Sequence, residues 1–382
     1  MRLSNSLSNM ACKLSYNLLN ESMNAFSQKS SIISANTRKI LVIRALPGLG
    51  DMLCATPALR SLRAALPNAQ IDLLGLPDMR WFSDRYNSLI DRWVDFPGFP
   101  GIPEGWNGVS HLPDFLLYMQ MRDYDWAIQL HGSGQYINQL AVLLGAKRTA
   151  GFYIPTEFCP DMRYFLRYPA AGSEIARLLE LTAFLDVPAQ GDMLTFPIEE
   201  REELAVERLL QQLDLASQRF VCIHAGASTT TRQWTIEGFA QVGDALYERG
   251  YSIVLTGTRS EASLVAAVEN AMRSPAVNLT DKTSLGTLAA LLKQSALLVC
   301  NDTGVSHLAA AMRVPSVVVF SGSELSRWTP LDRSLHRPVE SRTEGDTTRD
   351  GIAKDSIAKD DIVQKVLQEA ESLLSKEVVY AR

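Results

Sequence analysis

The chain has 382 residues, 46% hydrophobic and 21% charged, ordinary globular proportions that exclude a wholly disordered or collagen-like protein. Lys and Arg number 37 against 42 Asp and Glu, a net charge of -5, so no global basic field draws nucleic acid and any phosphate must be held locally. At roughly 150 residues per domain, this length predicts two or three domains.

Residues 1–37 are rich in Ser and Asn, carry one acid, Glu21, and contain no apolar run long enough for a secretory signal. They read as a disordered extension to which no function is assigned, with a transit peptide as the other reading. Order is expected from Lys39, where KILVIRAL is a β-branched run halted by Pro47-Gly48, the pattern of a buried strand. Residues 51–66 repeat apolar positions at helical spacing, and AQIDLLGL from Ala69 is a second strand, completing a βαβ unit. After an irregular insert between Phe96 and Pro113, DWAIQLH near 125–131 continues the pattern.

Periodicity lapses over 187–200, VPAQGDMLTFPIEE, and its two prolines suit an interdomain linker. Alternation then resumes: a strand at 219–227, a helix IEGFAQVGDALYERG stopped by Gly250, a strand YSIVLTG, a helix at 284–295, a strand ALLVCND, a helix GVSHLAAAM and a strand VPSVVVF. Such alternation implies parallel, doubly wound sheets, an α/β fold. Beyond about residue 340 a charged stretch leads into the amphipathic IVQKVLQEAESLL, expected to be a helix packed back on the body. The expected divisions are therefore 1–37 extension, 38–187 first domain, 188–200 linker, 201–340 second domain and 341–382 tail.

Five cysteines, Cys12, Cys54, Cys159, Cys222 and Cys300, are scattered without a C-x-x-C pair, which fits a reducing cytoplasm. The most apolar region, 295–320, is interrupted by Asn301, Asp302, His307 and Arg313, so no membrane span is expected. The five histidines show neither H-x-H nor H-E-x-x-H spacing, and no metal site or cofactor is expected.

Three segments carry candidate chemistry. PGLGDM at 47–52 is a Gly-rich turn from strand to helix, but Leu53 stands where a dinucleotide fingerprint needs its third glycine, and no G-K-[ST] follows for a Walker loop. Within it Asp51 reads either as a helix-capping acid or as a general base at the carboxyl edge of a sheet. NDTGVSHLAAA at 301–311 reads either as an ordinary capped helix or as an anion site built from Thr303, Gly304 and the helix dipole. Its G-V-S-H approach to a nucleophile elbow fails at Leu308. HAGASTTTRQW at 224–234 offers small hydroxyls and Arg232 to phosphate oxygens, or is a solvated loop.

In order and spacing these segments resemble the bacterial heptosyltransferase family, the ADP-heptose-dependent glycosyltransferases of lipopolysaccharide core assembly (glycosyltransferase family 9). The likeness spans about residues 39–330: an opening strand with a G-D turn and T-P-A-L helix, an H-x-G donor segment ending in K-x-W, and a D-T-G-x-x-H block. It implies a GT-B architecture, two Rossmann-like doubly wound parallel-sheet domains facing a cleft, with the acceptor on the first and the nucleotide sugar on the second. By motif position Asp51 falls on the catalytic base, with Gly48 and Gly50 on the acceptor side. Arg232 falls on the phosphate-gripping lysine, a change of geometry with the cation kept. Ser228, Thr229 and Trp234 belong to the donor segment, and Asp302, Thr303, Gly304 and His307 to the nucleotide-sugar block. Glu261 matches an acid that contacts the donor.

The implied activity is inverting, metal-independent transfer of a sugar, a heptose by resemblance, from a nucleoside-diphosphate donor to a saccharide acceptor of lipopolysaccharide or another surface glycan. Implied partners are ADP-heptose and a lipid-linked or oligosaccharide acceptor, with peripheral membrane contact and no nucleic acid. A nucleotide-sugar epimerase on the same fold and a non-catalytic sugar-nucleotide sensor are the other readings.

Overall fold

The computed structural model describes residues 32–105, 108, 110–341 and 359–380. Nearly all of the N-terminal extension (1–31), three positions of the insert and the charged stretch 342–358 lie outside the described residues. In the first half β1 (Lys39–Ile43), β2 (Gln70–Gly75), β3 (Arg92–Asp95), β4 (Trp126–Gln129), β5 (Arg148–Tyr153) and β6 (Phe165–Arg167) form one sheet, ordered β3-β2-β1-β4-β5-β6. In the second, β7 (Phe220–His224), β8 (Ser252–Leu255), β9 (Ala276–Asn278), β10 (Leu297–Asn301), β11 (Ser316–Phe320) and β12 (His336–Glu340) are ordered β12-β11-β10-β7-β8-β9. Counted from its own first strand, each sheet has the Rossmann order 3-2-1-4-5-6, and every strand pair is parallel. The two doubly wound sheets expected from the alternation are both present.

The helices of the first half are α1 (Leu49–Ala65), α2 (Trp81–Arg85), α3 (Leu112–Gln120), α4 (Ile137–Leu143) and α5 (Glu174–Phe184). Those that follow are α6 (Glu200–Gln212), α7 (Ile236–Glu248), α8 (Ala262–Ala271), α9 (Leu285–Gln294), α10 (Gly304–Ala311), α11 (Leu325–Trp328) and α12 (Lys359–Tyr380). Central strands are buried on both faces, which is why KILVI and LLVCN read as unbroken apolar runs rather than alternating ones. Register puts Ile40 beside Ile71 and Trp126, and Val299 beside Ile223, so side chains of neighbouring strands stack in rows beneath the helices.

One apolar cluster runs through both halves, joining Val42, Leu53 and Leu62 of the first to Cys222, Leu298 and Leu308 of the second. The stretch between α5 and α6 carries no regular element but is anchored. Leu194 and Phe196 enter this cluster, and the Arg85 guanidinium lies 4.4 Å from the centre of the Phe196 ring. Part of the insert also turns inward: Phe96 and Ile102 are buried on the opposite face of the first sheet.

The last helix covers the outer face of the second sheet. Ile362, Val363, Val366, Leu367, Ala370, Leu373 and Leu374 of α12 pack with Val221, Ile253, Val317 and Phe239, so the helix contributes a full apolar stripe to that core. Val366 is completely buried there. Val366→Asp would place an unpaired carboxylate among aliphatic groups, and a stability loss on the order of 3 kcal/mol is expected. A urea-denaturation midpoint equal to the parent's would show that α12 contributes nothing to the fold.

Candidate active site

In open α/β sheets ligands bind beyond the carboxyl ends of the strands, where the strand order reverses. These switch points lie between β1 and β4 in one sheet and between β7 and β10 in the other. Between the two edges is a cavity of about 920 Å³. Its first-half wall includes Gly48, Gly50 and Asp51, and its second-half wall includes Ser228, Arg232, Glu261, Asp302, Thr303, Gly304 and His307.

At the cavity wall the first turns of α1 and α10 pack against each other. A Cβ on Gly304 would lie 2.6 Å from Leu49 Cβ and 3.1 Å from the Gly50 nitrogen, and one on Gly50 would lie 2.7 Å from His307 Cδ2. Only hydrogen at both positions lets the two backbones approach. Two positive helix ends therefore stand side by side at the edge of one cavity, a setting for anions.

Asp51 occupies the first turn of α1. Burial lifts its carboxyl above the ordinary range, Arg44 opposes this, and Glu174 reinforces it. Arg44, fully buried just after β1, donates from Nε to the Asp51 carbonyl (2.8 Å) and from Nη1 to the Leu130 carbonyl. Its Nη2 lies 3.2 Å from Glu174 Oε1 and 3.7 Å from Asp51 Oδ1. Glu174 in turn accepts from Arg327 of α11 at Nε (3.0 Å) and Nη2 (2.9 Å).

On the second-half wall, Asp302 is 3% exposed, its Oδ2 has no hydrogen-bond partner, and Arg232 Nη1 stands 4.0 Å away. Burial pushes the Asp302 carboxyl up, against Ser323 and Arg232. Glu261 Oε2 accepts from the Thr258 N–H (2.8 Å) and lies 4.0 Å from His224 Nε2. Gly226 makes room for it, since a Cβ there would overlap the Glu261 carboxylate. His307 is buried and its imidazole is pushed down to about 4, chiefly by burial; Cys54 Sγ lies 3.7 Å from Nδ1 and the Trp328 ring stands edge-on at 6.2 Å.

Two of the expected donor residues do not reach the cavity. Trp234 is a core residue, 6% exposed and edge-on to Phe239 at 5.1 Å, because its backbone N–H is held 2.9 Å from Asn301 Oδ1 and draws the residue inward. Thr229 faces outward, its hydroxyl 3.1 Å from that of Thr231. Arg44, Glu174, Asn301, Arg327 and Trp328 were not anticipated. A charge inside the apolar run ILVIRAL was a signal for Arg44. Glu174 and Arg327 gave none, since only the tertiary structure brings them together.

The profile of glycosyltransferase family 9 (heptosyltransferase) matches residues 120–349. The chain belongs to this family. Lipopolysaccharide heptosyltransferase 3 of Escherichia coli K12 is 24% identical over 297 residues, covering 75% of this chain and 83% of that protein. Among solved structures, a family 9 glycosyl transferase from Veillonella parvula superposes with a TM-score of 0.73 at 23% identity, covering 89% of this chain and 98% of that one. The E. coli ADP-heptose lps heptosyltransferase II superposes with a TM-score of 0.65 at 21% identity, covering 89% and 99%. This family 9 enzyme is thus a glycosyltransferase with the expected GT-B fold. Among the described residues no three His, Cys, Asp or Glu side chains are grouped to hold a metal.

His307 and His336 are both held near 4 by burial, well below the ordinary value of about 6.5. Folding therefore favours the neutral rings, and the stability they contribute is complete above pH 6.5 and lost as pH falls from there through about 4. The denaturation midpoint should drop across that window. His336→Asn, which keeps a polar group toward the Ser316 hydroxyl 2.8 Å away, should make the drop shallower. An unaltered slope would show that His336 titrates alike in the folded and unfolded chain.

Proposed function

We propose that this enzyme transfers heptose from ADP-heptose to a saccharide of the lipopolysaccharide core, with inversion and without a metal. The observation that carries the reading is that one cavity is lined by Asp51 from the first half and by Arg232 and the Thr303–Gly304 helix end from the second. Asp51 takes the proton of an acceptor hydroxyl. The resulting oxygen attacks the anomeric carbon from the face opposite the nucleotide, and the bond from that carbon to the diphosphate breaks. Charge developing on the leaving diphosphate meets Arg232, the Ser228 and Thr303 hydroxyls and the Gly304 N–H, fixed donors of the kind that lower such a barrier most. A raised carboxyl makes Asp51 a better base than a free aspartate.

Leu264, Leu285 and Leu288 supply an apolar wall for the adenine, beside the hydroxyls of Thr283 and Ser284. The names of the relatives, lipopolysaccharide heptosyltransferases, and of the ADP-heptose enzyme support the donor and acceptor classes. Family membership favours transfer over epimerisation or sensing. A lipid-linked acceptor suits a cytoplasmic enzyme that touches the inner face of the membrane. No described helix is long and apolar enough to cross one, whereas Leu117, Tyr118, Met121, Val142 and Leu143 are exposed on adjoining ends of α3 and α4.

Asp51→Asn keeps the size and removes the proton acceptor, so kcat should fall by about 10² to 10⁴ with donor affinity retained. Turnover within about threefold of the parent in a folded variant would move the base elsewhere. Arg232→Ala should weaken ADP-heptose binding by about 1.5 to 3 kcal/mol, measured by titration calorimetry. Unchanged affinity would make Arg232 a surface residue.

A further inference from the structure

The Arg44 guanidinium has two carboxylates within reach of one nitrogen. Its Nη2 is 3.2 Å from Glu174 Oε1 and 3.7 Å from Asp51 Oδ1, while the other nitrogens are engaged with the Asp51 and Leu130 carbonyls. Glu174, 3% exposed at the start of α5, is held from the far side by Arg327 of α11, whose Nε and Nη2 both donate to Oε2, and Arg177 Nη1 lies 3.9 Å away. The side chains thus form a row, Asp51–Arg44–Glu174–Arg327, that passes from the first half of the molecule into the second. Arg327 also lies over the Trp328 ring, 4.9 Å from its centre, and Trp328 is part of the cavity wall.

We propose that Glu174 is a positioning residue for transfer: by taking the hydrogen bond from Arg44 Nη2 it holds that guanidinium 3.7 Å from Asp51 and keeps the ion pair from tightening into a hydrogen-bonded one, and so leaves the Asp51 carboxylate available toward the cleft. This rests on the reading of Asp51 as the base. A full Arg44–Asp51 pair would make the carboxylate a weaker proton acceptor, because an opposite charge within about 4–6 Å stabilises the ionised form. Glu174 competes for the same nitrogen and adds a negative charge behind it. Arg327 works in the other direction, since it draws Glu174 toward the second half and adds a positive charge to the row.

The charged and titratable groups around Asp51 include Arg44 after β1, Cys54 on α1, Glu174 on α5, Arg327 on α11, Arg232 on the loop after β7, and His307 on α10. His307, held near 4, is neutral above that pH. Burial raises the Asp51 carboxyl, Arg44 lowers it, Glu174 raises it, and Arg327 and Arg232 lower it. Removing the charge of Glu174 must therefore move Asp51 down, and removing that of Arg327 must move it up. A purely structural tie between the halves has no reason to give opposite signs.

The test is the acid limb of the kcat/KM profile, which reports the base of the free enzyme. Glu174→Gln should shift the limb to lower pH by about one unit and reduce the plateau rate about three- to tenfold, and Arg327→Gln should shift it to higher pH. Asp51→Asn is run beside them. If Asp51→Asn is inactive and the two limbs move in opposite directions, the inference stands. If Asp51→Asn is inactive but the limbs stay or move together, Glu174 is only an interdomain tie and the inference fails while the reading of Asp51 survives. If Asp51→Asn turns over like the parent, the reading fails and takes the inference with it. Should Glu174→Gln not fold, the partly exposed Arg327→Gln decides alone: an upward shift supports the inference, and no shift or a downward one overturns it.

Discussion

Two helix N-termini pack closely in this protein, each with a glycine at the contact, and the site depends on that contact. Gly50 and Gly304 are the positions at which a methyl group would force the helices apart. Bringing two positive dipole ends together is electrostatically unfavourable unless negative charge lies close by. Each end has its own carboxylate, Asp51 in the first turn of α1 and Asp302 immediately before α10. Burial raises both carboxyls. The contact that assembles the halves thus also leaves two positive helix ends at one cavity, a setting for anions.

A second constraint is the burial of Arg44. An unpaired guanidinium in the interior would cost several kcal/mol, and this one is tolerated because each nitrogen finds an oxygen: two carbonyls of its own half and the Glu174 carboxylate. Glu174 then accepts from Arg327, which makes the junction between the halves polar beside the cavity. Farther away it is apolar, with Leu194 and Phe196 of the connecting stretch inside the shared core. The division suits an enzyme that must hold two sheets in register yet keep a carboxylate at their meeting point responsive to its surroundings.

The organisation into two doubly wound sheets was legible because buried parallel strands leave short β-branched runs closed by Gly or Pro, as KILVIRAL and VPSVVVF show. The carboxyl-edge turns PGLGD, HAGAS and NDTG were equally plain, since small and polar residues directly after such a run mark where the backbone leaves the sheet and turns. Short or amphipathic strands such as β3 (RWVD) and β9 (AVN) gave no comparable signal, being edge segments with little apolar content.

Sequence by itself therefore determined the alternation of elements, the family and the turns that flank the cavity, because each of these is written within a dozen neighbouring residues. Tertiary structure alone decided which of those residues face the cavity. Trp234 sits in the donor segment yet turns into the core toward Asn301, 67 positions away. Glu174 lies at an ordinary helix start, yet it bridges Arg44 and Arg327, 130 and 153 positions distant. Pairing across such separations is fixed by how the elements pack within each half and, for Glu174 and Arg327, by how the two halves dock, and no local pattern of apolar and polar residues records it.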